Sequence, residues 1–201
     1  MGQLQNNNIP QEVQRLRLVA ALSGCGGGVD LCLKESSESE MSVFDDDVLR
    51  YSDWIVGDAN SPKVFVAHNG GHKNLVLLPL DNRIVSGHKV TEGGVADCAI
   101  LTMSDMSFIE FKTNVVSNSV GNIESKTNDA IKQLWNTFNV IIAPRCAKKG
   151  IDISKLVNVE FFIVFNKDLD VTGTMASRLN LQMEFKKNYN YSLFFENEKN
   201  F

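Results

Sequence analysis

The sequence lacks an apolar run that approaches the roughly 20 residues needed to cross a bilayer. Its first ten residues carry no charge at all, so the basic region of a secretory signal is missing and we expect none. The four cysteines, at positions 25, 32, 98 and 146, lie far apart and form no CxxC pair. Free thiols in a reducing cytoplasm are the simplest interpretation. We therefore expect a cytoplasmic protein without membrane contact.

The sequence also lacks the positive charge of a protein that coats nucleic acid, because its net charge is −4. The charge is uneven, however. Residues 29–60 carry nine acids against two bases, whereas residues 114–157 carry six bases against three acids. One face can therefore meet a polyanion while another repels it.

The composition excludes wholesale disorder and a disulfide-dense miniprotein. Hydrophobic residues make up 43% and charged residues 22% of the 201 positions, close to the average of globular chains. A chain of this length suits one domain and can bury a core without disulfides.

Four elements are predicted in the first half of the chain. Pro10 and the apolar stripe that follows it predict a helix over residues 11–22. The glycine-rich segment 23–28 ends this helix, and it is no phosphate-binding loop because Gly-Lys-Ser/Thr does not follow. A second helix is predicted over residues 44–55 from an apolar face made of Phe44, Val48, Tyr51 and Ile55. A turn at Asn69-Gly70-Gly71 predicts a hairpin of two short strands, residues 64–67 and 75–80.

The second half reads as strand, strand, helix, strand, helix and strand, at residues 94–102, 107–113, 122–138, 157–165, 175–187 and 191–195. This order predicts an α/β fold, with a central mixed β-sheet flanked by helices. Because no repeat or clear linker interrupts the chain, we expect one domain with an N-terminal helical extension. Residues 1–43 form an N-terminal extension with a helix and a glycine and acidic-serine loop, and residues 44–201 form a single α/β domain.

Three charged residues share one face of the predicted hairpin between residues 94 and 113. With Ser104-Asp105 as the turn, Asp97 lies opposite Lys112, and Ala99 lies opposite Glu110. The other face then carries side chains typical of a core, at positions 96, 98, 100, 109 and 111. Any turn of even length keeps this grouping.

Asp97, Glu110 and Lys112 are costly to bury unless they are paired or hold a metal ion. Two carboxylates suit a hard cation such as Mg²⁺ or Mn²⁺. A neighbouring lysine can orient a water or stabilise charge on a phosphate. The alternative is a solvated face, on which the attraction between Asp97 and Lys112 contributes roughly 0.2–1 kcal/mol.

Asp97, followed after twelve residues by Glu110-Phe111-Lys112, resembles the signature of the PD-(D/E)XK nuclease superfamily. The resemblance covers residues 44–165 and implies a restriction-endonuclease-like core, in which a helix leads into three strands, a second helix and a fourth strand. It implies that Asp97 and Glu110 bind Mg²⁺ or Mn²⁺, that the carbonyl of Phe111 adds a ligand, and that Lys112 activates the attacking water. Gln133, on the predicted helix after the motif, resembles a glutamine that many members place near the metal.

The match departs from the family in two places. Ala96 stands where the signature has its proline. The family's further acid on the first core helix has several candidates here, namely Asp45, Asp46, Asp47 and Asp53, with Glu92 ahead of the hairpin as another.

The resemblance implies a metal-dependent nuclease, a hydrolase of phosphodiester bonds in DNA ahead of RNA. The alternative is a catalytically inert subunit with a nuclease fold, which binds or assembles within a defence or repair complex. The acidic charge and the lack of a DNA-reading motif favour this alternative. A homo-oligomer or a larger protein complex would then supply the grip on DNA. A third alternative is an α/β protein with a small-molecule role.

Overall fold

The computed structural model describes residues 9–87, 90–115 and 119–201. The strands in these ranges are β1 (Lys34–Ser36), β2 (Glu40–Asp46), β3 (Tyr51–Val56), β4 (Phe65–His68), β5 (Leu75–Pro79), β6 (Cys98–Leu101), β7 (Asp105–Lys112), β8 (Asn158–Phe165), β9 (Ser192–Phe194) and β10 (Glu198–Asn200). The α-helices are α1 (Gln11–Arg15), α2 (Leu18–Ala21), α3 (Val29–Cys32), α4 (Val120–Asn136), α5 (Ala143–Ala147), α6 (Ile153–Leu156) and α7 (Met175–Tyr189). None of the helices described is long and apolar enough to cross a membrane.

A six-stranded mixed sheet forms the centre of the fold, in the order β1-β5-β6-β7-β8-β9. In this sheet β1, β5, β6 and β7 each run antiparallel to the next strand, whereas β7, β8 and β9 are parallel. The chain passes from β7 to β8 through α4, because parallel neighbours need a long crossover. The six elements predicted after residue 94 occur in the predicted order, but α5, α6 and β10 were not predicted. The chain is an α/β protein with mixed sheets flanked by helices.

The two faces of the central sheet are covered differently. Helices pack on one face, where Leu78, Phe108 and Phe161 belong to the larger core together with residues of α1–α4 and α7. The opposite face, with Ile100 and Ile109, packs on a second sheet in the order β10-β4-β2-β3. Since side chains alternate along a strand, β5, β6, β7 and β8 each contribute to both cores.

The helix predicted over residues 44–55 is wrong, because this segment forms the β2–β3 hairpin. Oδ1 of Asp46 accepts hydrogen bonds from the amides of Val48 and Leu49, both at 2.8 Å, and Arg50 has a φ of 57°. These features make a tight turn. Val48, which the helical pattern placed on the apolar face, is 90% exposed at that turn.

The hairpin predicted around Asn69-Gly70-Gly71 is also wrong. Its two strands exist, but β4 belongs to the second sheet and β5 to the central one. The buried side chain of Asn69 stabilises the turn, since Nδ2 donates to the carbonyls of Glu38 (3.1 Å) and Lys73 (2.8 Å). The turn therefore carries the chain from one sheet to the other.

The helix predicted over residues 11–22 is broken into α1 and α2 at Arg17, which has a φ of 52°. Leu16 and Leu18 are both fully buried. Two residues apart, they would lie on nearly opposite sides of a continuous helix, so the break lets both reach the core. The predicted division at residue 43 stays a prediction: residues 1–8 lie outside the described part, and β2 spans the boundary.

Candidate active site

The β6–β7 hairpin brings the predicted acids and the lysine together, with a register shifted by two residues. Leu101 pairs with Met106 instead of Phe108, because the turn is closed by hydrogen bonds between Thr102 and Asp105. The shift is even, so Glu110 and Lys112 keep their common face, and continuing the register places Asp97 opposite Glu110.

Of the five hairpin positions predicted to lie in the core, four lie between the two sheets and one does not. Cys98, Ile100, Ile109 and Phe111 belong to the core that the second sheet covers. Ala96 belongs to the helix-side core instead. It precedes β6 in the chain, so the alternation of the strand does not apply to it.

Asp97 is held by hydrogen bonds from β7 and from the residues just after β5. Its Oδ2 accepts a hydrogen bond from the amide of Phe111 at 2.6 Å. Its carbonyl accepts hydrogen bonds from the amides of Leu80 (2.9 Å) and Asp81 (3.3 Å), just after β5. The first acid of the motif is therefore fixed to β7, which carries the other two motif residues.

The segment ahead of Asp97 is docked on the end of α4. Asn136 donates from Nδ2 to the carbonyl of Gly94 at 2.6 Å, and Oγ1 of Thr137 accepts from the amide of Ala96 at 2.7 Å. Gly94 has a φ of +86°, and a Cβ there would lie 2.6 Å from Cγ of Gln133. Glycine is thus required both for the backbone conformation and for the close approach to α4.

Lys112 connects Glu110 to Gln133. Its Nζ donates to Oε1 of Glu110 at 2.5 Å and to Oε1 of Gln133 at 2.8 Å. The side chains of Glu110 and Lys112 are only 2% and 13% exposed. Oε2 of Glu110 is buried and has no hydrogen-bond partner among the residues that the structure describes. The structure therefore brings all four predicted residues, Asp97 included, into one constellation.

The two acids of this constellation resist ionisation. Burial raises the pKa of Glu110 to about 7, although the charge of Lys112 acts in the opposite direction. Burial, followed by the charges of Glu110 and Asp45, raises the pKa of Asp97 well above its usual value. A positive ion beside them would favour the charged forms of both.

Asp45 is the upstream candidate whose charge acts on Asp97. Partial burial and the carboxylates of Asp47 and Asp81 raise the pKa of Asp45 in turn. Asp53 is instead paired with Lys34 at 2.5 Å. The side chain of Asp46 holds the β2–β3 turn.

Sequence reasoning missed Asp81, Asn136 and Thr137. Asp81 raises the pKa of Glu110, and its signal in the sequence is an acid directly after the buried run of β5. Asn136 and Thr137 follow Gln133 by three and four residues, so they share its side of the helical path. Their spacing from Gln133 is the one sequence feature that could have predicted that they hold the segment before Asp97.

The donor set fits a hard divalent cation. No group of three or more His, Cys, Asp or Glu side chains in the described ranges is arranged to hold a metal ion. Mg²⁺, however, is commonly bound by one or two carboxylates, and water and substrate phosphate complete its shell. Asp97 and Glu110 provide such a pair, and Oε2 of Glu110, which has no partner among the residues described, is available as a ligand atom. The main chain of Phe111 lies between them, with its side chain in the core on the opposite face.

No protein-family model, curated protein or solved structure matches this chain.

Proposed function

We propose that this chain is a metal-dependent nuclease of the PD-(D/E)XK type, which hydrolyses phosphodiester bonds in DNA ahead of RNA. The observation that carries the proposal is the state of Glu110. One oxygen of this buried carboxylate is held by Lys112, the other has no partner in the part of the chain described, and Asp97 lies beside it. A buried acceptor left unsatisfied costs about 1–3 kcal/mol or more, and a bound cation would remove this cost.

The topology supports the proposal. The antiparallel strands β5, β6 and β7 are followed by α4 and then by β8, parallel to β7. This is the order of three strands, a helix and a fourth strand in the restriction-endonuclease-like core. Since residues 44–55 are not helical, the leading helix of that core would be supplied by α1–α3, which pack on the helix-covered face.

Asp97 and Glu110 would hold the cation, with the carbonyl of Phe111 as a further ligand. When bound, Mg²⁺ or Mn²⁺ supplies neutralisation of phosphate charge and a lowered pKa of a coordinated water. An ammonium group has three N–H donors, and Lys112 uses two of them on Glu110 and Gln133. The third remains to orient the attacking water or to donate to a phosphate oxygen. Gln133 keeps the ammonium in place and so acts as a positioning residue.

Cleavage assays on plasmid DNA, single-stranded DNA and RNA, in Mg²⁺ or Mn²⁺ and in EDTA, test the proposal. Glu110→Gln and Lys112→Met are expected to reduce cleavage at least about a hundredfold. The chain offers a matched control, because Glu160 and Lys199 form a second pair at 2.5 Å with side chains 17% and 13% exposed. Glu160→Gln and Lys199→Met should retain cleavage.

Full cleavage by Glu110→Gln, or cleavage that persists in EDTA, would contradict the proposal. A wild-type chain that binds Mn²⁺ but cleaves none of these substrates would favour the inert binding or assembly subunit.

A further inference from the structure

Arg178, on α7, has a buried and unpaired guanidinium edge. Its Nε and Nη2 are buried, and neither has a hydrogen-bond partner in the ranges that the structure describes. The guanidinium carbon lies 4.7 Å from the ring centroid of Phe165 and 4.9 Å from that of Phe195. The two rings stabilise the cation through their faces, but they do not satisfy its N–H donors.

The unpaired atoms are the ones that bind anions best. Nε and Nη2 project from the same edge of the planar guanidinium, and this edge donates two parallel hydrogen bonds to a carboxylate or a phosphate. Glu196 is the acid whose charge acts on Arg178, but no acid within the described ranges lies within ion-pair distance of it. Within the part of the chain that the structure describes, the guanidinium therefore has no anionic partner.

Arg178 lies close to the proposed active site. Phe165 ends β8 and pairs with Lys112, which ends β7. Both residues lie on the helix-covered face, since Phe165 belongs to the larger core and Lys112 bonds to Gln133 of α4. Adjacent strands are about 4.8 Å apart. Arg178 thus packs on Phe165, the residue paired with Lys112. Both lie at the carboxyl ends of parallel strands, where α/β sheets bind their ligands.

We infer that Arg178 binds a backbone phosphate of the nucleic-acid substrate through Nε and Nη2, next to the phosphate that is cleaved. This inference rests on the proposed nuclease function. The rings of Phe165 and Phe195 cover the guanidinium, so binding requires residues 195 and 196 to move. Phe195 is partly exposed and Glu196 is exposed, and both follow the end of the short strand β9. Glu196 repels the incoming phosphate until it is displaced.

Binding of labelled oligonucleotides by fluorescence anisotropy tests the inference. Ca²⁺ replaces Mg²⁺ as a cation with oxygen ligands and a less strict geometry, and gel electrophoresis checks that the oligonucleotide stays intact. Arg178→Met is expected to bind single- or double-stranded DNA about ten- to hundredfold more weakly, and to reduce the slope of log affinity against log salt by about 1. Arg178→Lys keeps the charge but loses the paired Nε and Nη2 donors, so its DNA affinity should lie between those of the wild type and Arg178→Met. Lys187→Met removes one charge from an exposed position of the same helix and should change affinity less than about threefold.

The thermal midpoint separates this role from a structural one. The two rings stabilise the cation, but its buried N–H donors stay unpaired, which costs more in the free protein than the ring contacts return. Arg178→Met should therefore melt at or above the wild-type temperature while binding DNA more weakly. Glu196→Gln should bind DNA more tightly at unchanged stability.

Two results would overturn the role of Arg178 alone. In the first, Arg178→Met melts lower and binds DNA like the wild type. In the second, inorganic phosphate stabilises the wild type but not Arg178→Met while their DNA affinities agree, which would assign the site to free phosphate. A wild-type chain that binds no DNA would overturn the nuclease proposal together with this inference.

Discussion

The carboxylate of Asp97 accepts a hydrogen bond from the backbone amide of Phe111, with 2.6 Å between Oδ2 and the nitrogen. Asp97 precedes β6, so strand pairing alone does not position it. The bond ties it to the residue between Glu110 and Lys112. The precision of the site therefore depends on how firmly the segment before Asp97 is held, and α4 is the element that holds it.

Thr137→Val should loosen that segment. The substitution keeps the shape of the buried side chain but leaves the amide of Ala96 unpaired, and we expect it to lower the free energy of unfolding by about 1–3 kcal/mol. Urea denaturation measures this change. Thr127→Val is the matched control, because Thr127 is equally buried on α4 and donates to the carbonyl four residues back, as Thr137 does. Equal losses in the two variants would contradict the role of Thr137.

Gly94→Ala should destabilise the protein more than Gly87→Ala. Both glycines have positive φ, +86° and +96°, so both substitutions carry backbone strain of about 1–2 kcal/mol. A Cβ at Gly94 also meets Gln133 at 2.6 Å, whereas nothing lies within 4 Å of one at Gly87. The clash should add about 1–3 kcal/mol and displace the partner of Lys112. Denaturation midpoints that agree for both variants would show that α4 does not approach Gly94 this closely.

The predictable part of the fold is the part with strong local signals. The apolar run of β8 was identified as a strand from its short length and its β-branched and aromatic residues, and α4 from its amphipathic helical period. The grouping of Glu110 and Lys112 was predicted although the register was wrong, because which face a side chain occupies depends only on the parity of the turn.

The rest depended on contacts between distant residues. Phe44, Val48, Tyr51 and Ile55 have helical spacing, but pairing of β2 with β3 and β4 overrides that local preference. The turn at Asn69 has the composition of a hairpin turn, but the strands on its two sides belong to different sheets, which the local sequence does not show. Arg178 could not be linked to the site from sequence, because the pairing of β7 with β8 creates its proximity to Lys112.

Glu110→Gln should become more stable relative to the wild type as pH rises. The pKa of Glu110 is raised from 4.5 to about 7 in the folded protein, so between these values the folded state binds more protons than the unfolded state. Wild-type stability is therefore lost as pH rises through this range. The glutamine variant avoids the loss, and the difference in unfolding free energy should shift in its favour by up to about 3 kcal/mol.

Urea denaturation without metal, at pH 4.5, 6 and 8, measures this shift. Saturating Mn²⁺ should reduce it at pH 8, because a bound cation favours the charged carboxylate. A difference between variant and wild type that is the same at all three pH values would contradict the assignment.

Calorimetric titration of Mn²⁺ tests the proposed metal site without the choice of a substrate. The wild-type chain should bind Mn²⁺, and Asp97→Asn, which keeps the size of the side chain, should bind it at least about tenfold more weakly. Glu160→Gln, in the second Glu–Lys pair, should bind it like the wild type. Superimposable titrations of wild type and Asp97→Asn would contradict a metal site at Asp97 and Glu110.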